Sequence, residues 1–100
     1  MVRTFFLSTS TRPEKKYMVF DYENPDKVIH FGASGYSDYT IHKNPLRKKL
    51  YKLRHSKNEN WGKSGMETAG WWAVHLLWNK PSLEDSIKDT EKRFNIQIVT

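Results

Sequence analysis

"AGWWAVHLLW", residues 69–78, is the longest apolar run in a chain of 100 residues, and only His75 interrupts it. An element that is apolar on almost every side belongs at the centre of a fold. The spacing predicts a helix over about 65–78. The four tryptophans, Trp61, Trp71, Trp72 and Trp78, centre the core on it. Upstream, "SGME" at 64–67 fits a capping box, with Ser64 reaching forward and Glu67 reaching back. Gly70 costs a helix roughly 1 kcal/mol against alanine, so it marks a place where another element approaches closely. Trp71 and Trp72 point about 100° apart on a helix. One could meet a partner while the other fills the core, but core packing is the expectation for both.

On either side the pattern changes. "SLEDSIKDTEKRFN", 82–95, reads as a helix over about 82–94, capped by Ser82. Its acids lie at the positive end and Lys92 and Arg93 at the negative end. Leu83, Ile87, Thr90 and Phe94 form its inward stripe. Asn44 and Pro45 open another helix, about 45–58, as N-cap and first helical residue. Leu46, Leu50 and Leu53 lie on one stripe, which Lys57 extends toward solvent, and the remaining faces are basic. "KYMVFDY", 16–22, alternates like a strand, "ENPDK", 23–27, reads as a turn, and "VIHF", 28–31, as the return strand. Residues 4–9 and 96–99 are further candidate strands, and 1–15 reads as an N-terminal arm or edge strand. The expected class is therefore α+β, one domain over 16–100, with a small antiparallel hairpin or sheet packed on three helices.

Composition narrows the chemistry. One hundred residues bury a single modest core. An aromatic share of 14% offsets a hydrophobic share of 37%. The absence of cysteine excludes disulfides, thiolate zinc sites and cysteine nucleophiles. The apolar run is about half a membrane span, and the N-terminus lacks a signal-peptide core. The expectation is a soluble chain, not exported by the usual route. Its charge of +6 is uneven. Residues 1–65 hold 13 Lys and Arg against 6 Asp and Glu, whereas the rest hold 4 against 5. Such a field attracts phosphates, anionic lipid or an acidic protein face.

Catalytic signatures are weak. The four histidines are 12, 13 and 20 residues apart, without the i, i+4 pairing of a helical metal site. No metal or other cofactor is expected. "GASGYS", 32–37, resembles a nucleophile elbow only superficially, since Gly35 directly follows Ser34. Asp38 with His42 or His55 is a faint general-base pair, and a local turn suits Asp38 better. The strongest signal is the run 43–57, with 7 Lys and Arg and no acid. Tyr36, Tyr39, Lys43, Arg47, Lys48, Lys49, Tyr51, Lys52, Arg54 and His55 are the candidate binding residues. They suit phosphates and stacked bases, an acidic or carbonyl-rich protein face, or merely a solvated helix.

Residues 27–98 resemble a small family of uncharacterised proteins from large double-stranded DNA viruses, such as those infecting algae and amoebae. Gly35 to Thr40 leading to His42-Lys43 carries the resemblance most specifically. Arg47-Lys48, Tyr51, Arg54-His55, Trp61, Ala69-Gly70-Trp71, Leu77 to Pro81 and Ser86 to Asp89 add to it. Asn44 stands where that family usually has an acid, and still serves as a cap. The resemblance implies no enzyme activity. It implies a virion structural component, a minor capsid protein that contacts capsid proteins of the same particle and assembles in the host cytoplasm. The alternative is a DNA- or RNA-binding protein acting through the basic helix.

Overall fold

The computed structural model describes residues 2–100. Three strands come first: β1 (Arg3–Thr9), β2 (Lys15–Asp21) and β3 (Asn24–Ala33). Next come α1 (Tyr39–His42), α2 (Pro45–His55) and a 3₁₀ turn at Lys63–Gly65. Then α3 (Ala69–Trp72) continues into a π-turn (Ala73–Leu77), and α4 (Leu83–Phe94) precedes β4 (Ile96–Val99). The sheet order is β3-β2-β1-β4, antiparallel except for the parallel pair β1 and β4. The α+β class and the hairpin stand, and both additional strands join the sheet.

Residues 3–9 form an interior strand, not an arm or an edge. Phe5 and Leu7 are buried there, between Val19 and Asp21 on one side and Ile98 on the other. Burying two large side chains on the helix-covered face outweighs the polar ends of the segment. β4 reaches β1 because Asn95 ends α4 in the left-handed conformation, at φ 52°, which asparagine tolerates. The hairpin reverses earlier than Asn24-Pro25-Asp26 suggests. The Asp21 carboxylate accepts from the Glu23 N–H at 3.0 Å, closing a turn at Tyr22-Glu23. Pro25 to Lys27 then bulge out, since Asp21 pairs with Asn24 but Phe20 with Val28.

The single long helix expected over 65–78 is replaced by three short pieces. Ser64 accepts from Asn60 Nδ2 at 2.7 Å instead of capping, and Thr68 Oγ1 caps by accepting from the Trp71 N–H at 3.3 Å. The cause is satisfaction of the two indoles. Trp71 Nε1 donates to the Gly62 carbonyl and Trp72 Nε1 to the Met66 carbonyl, each at 2.9 Å. The Gly62 carbonyl also accepts the Gly65 N–H at 3.0 Å, so 63–65 close a single 3₁₀ turn, and the Met66 carbonyl is given to the indole rather than to a longer helix. Both rings are wholly buried, as core packing required. Trp72 meets Phe5 edge-on at 4.9 Å, and Trp71 meets Phe94 at 4.8 Å. Gly70 does mark a close approach, because a Cβ there would lie 2.0 Å from Glu59 Oε1.

α4 behaves as its periodicity implies. Ser82 Oγ accepts from the Asp85 N–H at 3.1 Å. Thr90, wholly buried, donates to the His75 carbonyl at 3.2 Å. Ser86, equally buried, accepts from the Lys80 N–H at 3.0 Å.

His75 is buried between the Trp71 and Phe94 rings, and its Nε2 lies 2.9 Å from the Trp61 carbonyl. A neutral ring donating from Nε2 satisfies both atoms. Burial holds its pKa below the ordinary value, against the opposing effect of that carbonyl. The depressed value means that the unfolded chain takes up the proton first as pH falls. The stabilisation is complete above about pH 6.5 and is lost progressively below it. Denaturant melts across pH 5–8 should show this decline, and His75→Gln, which keeps an N–H donor, should flatten it. His42, also depressed by burial and then by Arg47, adds to the decline in the same direction.

Candidate functional site

Helix α2 starts as its sequence dictates. Asn44 Oδ1 accepts from the Leu46 and Arg47 N–H groups at 3.0 and 3.3 Å, and Pro45 takes the first turn. Beyond that turn the helix is inverted relative to an ordinary amphipathic one. None of its residues is fully buried, and Leu46, Leu50 and Leu53 are 62%, 52% and 59% exposed. The inward face is polar and aromatic instead. Tyr51 lies flat on Trp78, with centroids 4.2 Å apart and planes 4° from parallel, and stacks on His55 at 4.2 Å. Burial, and then the Glu59 carboxylate, push the Tyr51 phenol up to about 12 despite Arg54, so it stays neutral.

Two of the candidate cations are fasteners. Lys43 Nζ donates to the Pro81 carbonyl and Lys48 Nζ to the Asn79 carbonyl, both at 2.6 Å. Together they clip α1 and α2 to the segment before α4. Burial lowers the Lys48 pKa, with Lys52 and Lys80 adding to the effect. Lys48 Nζ also lies over the Tyr39 ring at 5.0 Å, which makes Tyr39 part of the same clip. The other cations divide around the leucine stripe. With about 100° between successive residues, Lys49 and Lys52 flank one side, and Arg47 and Arg54 the other. All four are exposed, and Lys52 Nζ lies 5.9 Å from the Trp61 ring centre.

The Arg47 and Arg54 side opens onto a cleft of about 410 Å³ between α2 and the end of β3. Tyr36, Tyr51, Trp78, His55 and Lys15 also line it. Asp38 forms part of the wall, nearly buried. It accepts from Lys16 Nζ at 2.6 Å, from the Thr40 N–H at 2.9 Å and from the Thr40 hydroxyl. Its oxygens are thus engaged in capping α1 and pairing Lys16. His55 Nδ1 lies 3.5 Å from Glu59. His42 is not in the cleft. Its Nδ1 accepts from the Asn44 N–H at 2.9 Å, its ring sits near Tyr39 and Trp78, and its buried Nε2 has no partner among the described residues. Asp38, His42 and His55 therefore do not converge. Among the described residues no group of three or more His, Cys, Asp or Glu is placed to hold a metal, and no helix is long and apolar enough to cross a membrane.

Sequence reasoning missed Lys15, Lys16, Glu59 and Trp78 as cleft residues. The Lys15-Lys16 pair at a strand start was a visible charge signal. Glu59 had only Gly70 to announce it, across 11 positions.

A family of unknown function, DUF5754, matches over residues 6–55. That span contains the second half of β1 and all of β2, β3, α1 and α2, and thus most of the cleft and the whole outward stripe. No curated protein and no solved structure matches.

Proposed function

We propose that this chain, which belongs to the family of unknown function DUF5754, is a structural protein that adheres to another protein through the outward face of α2. The observation that carries the reading is the leucine stripe turned to solvent. Three contiguous exposed leucines are costly to leave wet, and burying them on a partner returns about 25 cal/mol per Å². The rails of Lys49 and Lys52 on one side and Arg47 and Arg54 on the other select that partner. It presents an apolar groove bordered by Asp and Glu, because α2 holds no acid of its own. The sequence resemblance to proteins of large DNA viruses makes a virion shell the setting and a minor capsid protein the role.

A photo-crosslinking residue in place of Leu50 tests this in purified particles. Crosslinks to an acidic segment of a shell protein are expected. The same residue in place of Lys88, exposed on α4, should give few. Absence of the chain from particles, or equal crosslinking from both positions, would overturn the reading.

A second reading, nucleic-acid binding, is favoured by Arg47 and Arg54, which have no carboxylate partner among the described residues. Each phosphate contacted adds about 0.9 to the slope of log affinity against log salt. A flat response would remove it.

A further inference from the structure

The cleft between β3 and α2 lies to one side of the leucine stripe and shares only Arg47 and Arg54 with the docking face. Four cations, Lys15, Lys16, Arg47 and Arg54, line it against two carboxylates, Asp38 and Glu59. Both carboxylates are already engaged. Lys16 takes Asp38 at 2.6 Å, and Glu59 receives the Trp61 Nε1–H at 3.3 Å and faces His55. Lys15, Arg47 and Arg54 have no carboxylate in ion-pair range among the described residues. Low-dielectric walls concentrate that field inside the cleft. The inner wall is apolar, built from Ala69, Ala73 and Trp78. At the rim stands Tyr36, 74% exposed, on a turn held open by Gly35 at φ 83°. A volume of about 410 Å³ suits a small ligand. Concave apolar wall, free aromatic face and three uncommitted cations are complementary to a flat ring carrying a phosphate.

We propose that this cleft binds a nucleotide unit, its phosphate on Lys15, Arg47 and Arg54 and its base against Tyr36. The unit is either a free mononucleotide or one residue of a single strand. The site shares Arg47 and Arg54 with the docking face but needs none of the leucines.

Calorimetric titration of the intact protein tests it, with adenosine monophosphate, adenosine, inorganic phosphate, phosphotyrosine and a single strand of about ten nucleotides. The monophosphate should bind about tenfold or more tightly than adenosine or phosphate alone, since each lacks half of the contacts. Arg47→Ala with Arg54→Ala should weaken it by about tenfold or more. Lys49→Ala with Lys52→Ala removes the same charge from the far side and should change it by less than about twofold. Tyr36→Ala should weaken the monophosphate but not phosphate. Leu50→Ser, which tests docking, should leave nucleotide binding intact. These positions are exposed, so unchanged thermal melts certify the fold. A strand that binds tighter than the monophosphate assigns the site to nucleic acid, and equal affinity assigns it to the free nucleotide. No binding of either, equal loss in the two double variants, or phosphotyrosine binding as well as the monophosphate, would overturn the proposal.

Discussion

Trp72→Ala should cost about 3–5 kcal/mol of folding stability, the range for deleting a large aromatic from a core. A domain of this size holds about 5–15 kcal/mol in total, so a large share of its stability goes with one side chain. The reason is position. Trp72 is wholly buried, meets Phe5 at 4.9 Å and Trp71 at 4.9 Å, and lies 6.3 Å from Phe31. It thereby joins β1, β3 and α3 at one point. The cavity left behind cannot collapse without moving the sheet. Trp72→Phe should cost less, about 1–3 kcal/mol, chiefly from leaving the buried Met66 carbonyl without its donor. Urea denaturation followed by circular dichroism measures both. A loss below about 1 kcal/mol for the alanine variant would mean that the ring is not the centre of the core.

Asp38→Ala should be the second most damaging change, at about 4 kcal/mol. Breaking a buried ion pair costs about 3–5 kcal/mol because one charge stays behind unpaired. The Lys16 side chain is 17% exposed against 3% for Asp38, so the stranded ammonium recovers part of its hydration and the cost falls toward the lower end. Loss of the α1 cap adds about 1 kcal/mol. A double-mutant cycle with Lys16→Met separates the two contributions. The double variant should be more stable than the sum of the single losses implies, by about 1 kcal/mol or more. Strict additivity would show that Asp38 matters only as a cap. Either result concerns folding, which is the role that its hydrogen bonds describe.

Much of the architecture was legible in the chain. α4 was readable to within a residue, because Ser82, the terminal charges and the Leu83–Ile87–Thr90–Phe94 stripe agree with one another. The cap at Asn44 and the β2–β3 hairpin were legible for the same reason, each carrying a local signal that nothing distant contradicts. The segment 65–78 was not. Its apolar content is helical in pattern, but the indole N–H groups need carbonyls, and they take them from 62 and 66. β1 likewise looked peripheral from its place near the N-terminus, and its interior position depends on β4, more than 90 residues later.

The candidate site divides the same way. The cations and tyrosines of 36–55 were identifiable, but not their duties, and Lys15 and Lys16 were missed. Charge density is the same around Lys48 and Arg47, yet one is a fastener to the Asn79 carbonyl and the other faces a cleft.

From the chain alone come α2, α4 and the strands, the caps at Asn44 and Ser82, the basic character of α2 and the existence of a leucine stripe, since these depend on neighbours a few positions apart. Which side of α2 meets the body was decided only on folding. Periodicity defines faces relative to a helix axis, whereas the parallel stack of Tyr51 on Trp78, between groups 27 positions apart, chooses the face that turns inward. That choice puts Leu46, Leu50 and Leu53 in water and Arg47 and Arg54 over the cleft.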